Sequence, residues 1–247
     1  MRQPKSLRPV VAKTSTSKRV APGASKNGGS APRARGTEPK RVRAVLKKLD
    51  EAFPNATCAL NHQNPFQLLI ATILSAQCTD VRVNLVTRTL FEKYKTPQDF
   101  AYADPRELEA EIRPTGFFRA KTKSIQGASK KILQDFSGQV PRTMQELLTL
   151  PGVARKTANV VLGTAFGIAS GIVVDTHVQR VSKRLDLTRN VEPKKIEQDL
   201  TQIIPRDKWI IFAHQLIWHG RRTCQARRPR CMECNLEKIC YSEDKTI

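Results

Sequence analysis

Leu150-Pro151-Gly152-Val153-Ala154-Arg155-Lys156-Thr157-Ala158 is the stretch on which the reading of this chain turns. Apolar residues run at helical spacing on both sides of it, so Pro151-Gly152 marks a sharp reversal between two helices. A helix that starts just after such a turn presents backbone N–H groups that have no partner within the helix. Those groups, with the positive end of the helix dipole, suit a phosphate. A contact of that kind reads no base, so its affinity is non-specific and weakens with salt. On the local pattern alone, an ordinary helix-turn-helix corner fits equally well. A second stretch, Val174-Asp175-Thr176-His177, places Asp175 19 positions after Lys156. An amine on a hairpin and a carboxylate opening a later helix are the groups needed for a nucleophile and its partner. Asp175 reads as a plain N-cap as well.

Outward from the hairpin the apolar residues keep helical spacing. Val42, Val45, Leu46, Leu49 and Phe53 pattern a first helix, and Phe66 to Ala76 reads as a nearly all-apolar buried one. Asp80 is expected to cap the next, which carries Val83, Val86, Leu90 and Phe91, and Asp104 before Pro105 starts another. Lys121 to Phe136 gives a further stripe, and Thr143 with Glu146 forms a capping-box pattern for a short helix ending at Leu150. Val153 to Phe166 is expected as a helix closed by Gly167; Asp175, Pro193 and Trp209 open the last three. No run alternates as a strand would, so the fold class is all-α.

The chain carries 43 Lys and Arg against 22 Asp and Glu, a formal net charge of +21 at pH 7. A polyanion is the partner such a balance favours, nucleic acid first. Part of the excess sits in residues 1–40, where Arg2, Lys5, Arg8, Lys13, Lys18, Arg19, Lys26, Arg33, Arg35 and Lys40 face only Glu38. That segment is rich in Ser, Pro, Gly and Ala and has no apolar stripe, so it reads as a disordered basic tail. Pro4, Pro9, Pro22 and Gly28-Gly29 weaken the amphipathic helix of a transit peptide, although organellar or nuclear targeting by the tail stays open. With no apolar run of spanning length and no secretory signal, a soluble protein inside the cell is expected. For a bacterial chain that means the cytoplasm, on the nucleoid.

Cys224, Cys231, Cys234 and Cys240 give C-x6-C-x2-C-x5-C, four of the six cysteines within a short stretch. Disulfides do not suit an intracellular chain, and thiolates suit both zinc and iron–sulfur, so a bound metal is expected and its kind is open. Between them, Arg227, Arg228 and Arg230 form a basic loop able to meet phosphates. Cys58 and Cys78 read as ordinary buried cysteines, and His177, His214 and His219 as packed histidines.

Taken together, from about Arg41 to Cys240, these motifs resemble the endonuclease III family of DNA repair glycosylases. The resemblance implies two helical domains, a six-helix barrel module over 58–168 and a cluster domain from 41–57 and 169–247, with a DNA-binding groove between them. It makes the four cysteines ligands of a 4Fe-4S cluster. It implies that Lys156 attacks C1′ of a damaged nucleotide, with Asp175 stabilising the charged sugar, and Arg155 is a candidate for lowering the amine's pKa. Leu74-Ser75-Ala76-Gln77-Cys78-Thr79-Asp80 resembles the family segment whose glutamine fills the space left by an extruded base, which assigns that role to Gln77. Gly116-Phe117-Phe118-Arg119-Ala120-Lys121 resembles its wedge loop, but aromatics and arginine stand where leucine, tyrosine and asparagine are usual. Phe117 is then the wedge, or else a core residue at a helix start. Ala154 replaces a usual glycine at the end of the hairpin. Leu150, Pro151, Gly152, Val153, Ala154 and Arg155, with Gln77, Phe117 and the three loop arginines, form the expected DNA contacts. The expected activity is a bifunctional DNA glycosylase and AP lyase acting on oxidised pyrimidines, as a monomer on damaged double-stranded DNA and away from membranes. The alternatives are a monofunctional glycosylase, against which Lys156 argues, and a non-catalytic DNA-binding module, against which Lys156 with Asp175 argues.

Overall fold

The structure, a computed structural model, describes residues 35–246; the basic tail expected over 1–40 lies almost wholly outside them. Among the described residues the fold is all-α, with helices and short 3-10 turns and no strand. The helices are α1 (Pro39–Ala52), α2 (Pro65–Leu74), α3 (Asp80–Lys93), α4 (Pro97–Tyr102), α5 (Pro105–Ile112), α6 (Phe118–Asp135), α7 (Met144–Leu147), α8 (Arg155–Phe166), α9 (Thr176–Arg184), α10 (Pro193–Ile203) and α11 (Trp209–Arg222). None of them is long and apolar enough to cross a membrane.

Proline opens α1, α2, α4, α5 and α10, where its fixed φ suits the first turn and its missing N–H would have had no partner. Helix α4 has no counterpart in the sequence reading, although Thr96-Pro97-Gln98-Asp99 supplies a complete capping box for it. One expected cap and one expected helix start differ. Thr79, not Asp80, caps α3 by accepting from the Arg82 N–H, which leaves Asp80 in the first turn and free to pair with Arg221. Helix α8 begins at Arg155 rather than Val153, because Val153 turns its side chain into the core and Ala154 keeps an extended backbone. The short helix after Thr143 stops at Leu147, and α11 runs on to Arg222.

Two hydrophobic cores organise these helices. The first runs from Leu60 to Leu162, with α2 at its centre: from Phe66 to Leu74 every residue is buried. Its edge-to-face trio of Phe66, Phe91 and Phe100 is anchored by α4. The second joins α1 to α9, α10, α11 and Leu236 of the cysteine segment. Val160 of α8 packs against both. The second core is also tied by Arg41, a buried guanidinium that donates to the carbonyls of Gly36, Leu185 and Ile239 at 2.6–2.9 Å and lies over the Tyr241 ring. Burying that charge is tolerable because its donors meet carbonyls.

Candidate functional site: the hairpin, its amine and a carboxylate

The hairpin sits between α7 and α8. Gly152 has φ +76°, and a Cβ there would stand 2.5 Å from the Ser124 Cβ of α6, so conformation and space both demand glycine. Pro151 rests against Gly127 of the same helix. Leu150 and Val153 are buried in the first core, so only their backbones can face a ligand. Pro151, Gly152 and Ala154 are exposed. Ala154 offers no side-chain cap to α8, and the N–H groups of the first turn are left open, as an anion site requires.

Lys156 stands exposed in that first turn and makes no hydrogen bond or ion pair among the described residues. It lines one cavity with Asp175, together with Cys58, Asp80, His214, Trp218 and Arg221. Asp175 caps α9: its Oδ1 accepts from the N–H groups of His177 and Val178, each at 2.8 Å. Its Oδ2 has no hydrogen bond among the described residues. The carboxylate is therefore oriented by the helix end while one oxygen stays available to the cavity. Burial pushes the His214 imidazole below its ordinary value against the pull of Asp175, and it does the same to His177.

Arg155 departs from the sequence reading. Its guanidinium forks onto Glu197 of α10, Nε to Oε2 at 2.7 Å and Nη2 to Oε1 at 3.0 Å. Its charge is thus compensated and does not stand as a free cation beside the lysine. Glu197 also accepts from Asn159, which in turn accepts from Ser170, so a buried polar network fastens α8 to the second core. A matching tie lies across the cavity, where Arg221 of α11 meets Asp80 of α3 at 2.5 Å.

Gln77 and Phe117 are both exposed, Phe117 by 64%, so the core reading of Phe117 fails. Both have left-handed backbones, φ +54° and +48°, which non-glycine residues rarely adopt. Arg227 and Arg228 are exposed, whereas Arg230 pairs with Glu233 at 3.0 Å. Cys58 and Cys78 are half-buried rather than buried, and Cys58 faces the cavity of Lys156. Sequence reasoning missed Cys58, Asp80, Trp218 and Arg221 as cavity residues.

Cys224, Cys231, Cys234 and Cys240 line a separate cavity beneath α9 and α11, all with free thiols. Burial pushes the Cys234 and Cys240 thiols up, and the neighbouring cysteines add to it. Arg184 donates to the Cys224 Sγ at 3.4 Å, and His219 Nε2 lies 3.7 Å from the Cys234 Sγ. Among the described residues no three His, Cys, Asp or Glu side chains converge on the position of one metal ion. The four thiols line this cavity together, with Arg184 and His219 beside them.

Residues 70–206 match the family described as HhH-GPD superfamily base excision DNA repair protein. The chain is 55% identical over 203 residues to endonuclease III of Synechocystis sp., covering 82% of this chain and 93% of that one. It is 47% identical over 207 residues to endonuclease III of Bacillus subtilis, covering 83% and 94%. Among solved structures, a non-covalent endonuclease III–DNA complex aligns with a TM-score of 0.79 and 47% identity, covering 83% of this chain and 95% of that one. A trapped endonuclease III–DNA covalent intermediate, an estranged-adenine complex, aligns with the same TM-score at 46% identity, covering 83% and 96%.

Proposed function

The chain belongs to the endonuclease III family of HhH-GPD base excision DNA repair proteins, and from that premise we propose how its residues divide the work. It is a DNA glycosylase and AP lyase, with oxidised pyrimidines of the thymine glycol type as its substrates. The observation that carries the assignment of roles is that Lys156 and Asp175 share one cavity, beside an uncapped helix end.

The open N-terminus of α8 holds a backbone phosphate, and the exposed Arg227 and Arg228 add salt-sensitive grip. The two cores are two modules, residues 58–168 and residues 41–57 with 169–247, and duplex DNA lies across the groove between them. Gln77 fills the space left by the extruded nucleotide and Phe117 wedges the opposite strand. The Lys156 amine, once neutral, attacks C1′; the bond to the base breaks and the base leaves with the electron pair and a proton. The nitrogen lone pair then breaks the C1′–O4′ bond, O4′ takes a proton, and the resulting Schiff base acidifies the C2′ proton, whose loss expels the 3′ phosphate; water then releases the sugar from the lysine. Asp175, through its unengaged oxygen, stabilises positive charge as it develops on the sugar.

Cys224, Cys231, Cys234 and Cys240 hold a 4Fe-4S cluster, whose contribution is to fix the fold of its loop. Mutually destabilising buried thiolates are supported when a positively charged centre binds them. That loop carries the arginines that meet the phosphates.

Borohydride trapping on abasic and thymine-glycol duplexes tests the assignment. The wild type should form a covalent adduct and Lys156→Gln none. A wild type that never traps defeats the lyase chemistry, and a mutant that traps names the wrong nucleophile.

A further inference from the structure

Lys121 is a buried lysine, 5% exposed, at the first turns of α6. Its ammonium donates to two backbone carbonyls at 2.8 Å, those of Leu74 and Thr115. The first closes α2, and Gln77 follows three residues on; the second closes the 3-10 turn Arg113–Thr115, and Phe117 follows two residues on. One side chain thus grips the roots of the segments that carry Gln77 and Phe117, two of the four non-glycine residues with left-handed backbones among the described residues. Among the described residues no carboxylate pairs with it, so the charge is held chiefly by carbonyl dipoles, with Cys78 nearby. Such a group is expensive to bury, and an apolar residue of the same length would fill the site at less cost. Strained, exposed side chains hold their conformation only where the surroundings over-determine it.

We propose that Lys121 is the positioning residue that fixes Gln77 and Phe117 relative to one another, so that both enter a duplex together. The proposal rests on the insertion roles given above. Lys121 touches neither substrate nor reacting atoms; its work is to set the separation of two probes. Its loss is felt where a stacked partner strand must be opened, and not where the damaged nucleotide is already unpaired.

The test compares full-length Lys121→Met, with cluster absorption intact, on two substrates: a thymine-glycol duplex and the same lesion in single-stranded DNA. Single-turnover base release on the duplex should fall by roughly tenfold or more, while release on the single strand changes by less than about twofold. The fluorescence of 2-aminopurine placed opposite the lesion should rise on binding of the wild type and not of the variant. Gln77→Ala and Phe117→Ala are run alongside. If they show no duplex-specific loss, the insertion roles are wrong. If they do and Lys121→Met does not, or if Lys121→Met loses both substrates equally, the tie is overturned. Should Lys121→Met fail to fold, Lys121→Gln, which keeps N–H donors on a shorter stem, is read by the same ratio.

Discussion

Helices α8 and α9 both begin at the cavity that Lys156 and Asp175 share, and they begin in opposite ways. The α8 end is open: Ala154 gives no cap, and its first N–H groups face outward. The α9 end is closed by its own Asp175, one oxygen spanning two N–H groups. The same electrostatic feature, a partial positive charge with unpaired donors, thus serves two purposes. In the proposed mechanism the open end takes an anion from outside, and the closed end aims a carboxylate of the protein at the place where charge forms.

The largest effect should come from Asp175→Asn. Asparagine caps as well as aspartate, so the closed end stays closed while its charge is removed. Turnover should fall by about a hundredfold or more, measured by single-turnover base release. DNA affinity, measured by fluorescence anisotropy, should change by less than about threefold. A comparable loss of affinity would reduce Asp175 to a cap and break the contrast. Glu197→Gln comes next, because it strips the charged partner from Arg155 and loosens α8 from the second core. Urea titration should show a loss of about 1–3 kcal/mol, and an unchanged midpoint would mean that α8 is held by packing alone.

Ala154→Ser sharpens the comparison by making the first end resemble the second. A serine cap should stabilise the protein by about 1 kcal/mol and at the same time weaken DNA binding, since the donors it satisfies no longer face a phosphate. Gains in both would show that the open end is not a phosphate site. The smallest effect is expected from Arg228→Ala: a uniform weakening across DNA sequences, with the salt slope of binding reduced by about one.

Much of this was legible in the residues. The hairpin, the lysine and aspartate, and the cysteine spacing are local patterns, and the helix starts follow from proline and capping residues. What stayed hidden depends on partners far along the chain. Arg155 read as a spare cation because Glu197, which neutralises it, lies 42 residues on. Trp218 reaches the cavity while its Nε1 donates to the Thr57 carbonyl, a contact across 161 residues. Exposure was also beyond reach: an aromatic before a helix is usually core, and only the left-handed backbone at Phe117 turns it outward. Asp80 was misread because two adjacent residues can each cap, and tertiary pairing with Arg221 decided between them.

Arg41 bears on the order in which the molecule comes into being. It bonds to the carbonyl of a residue 198 positions away, so α1 cannot find its final place until the cysteine segment has been synthesised. The first core needs nothing beyond Ile168 and can close while the ribosome is still at work. Until then α1, emerging first, waits beside it with its apolar stripe uncovered. The second core then gathers both flanks of the chain at once, and the cysteines arrive last. Maturation of the repair enzyme is therefore expected to be gated at its final step, the closing of the longest loop, at which the proposed cluster would also be taken up.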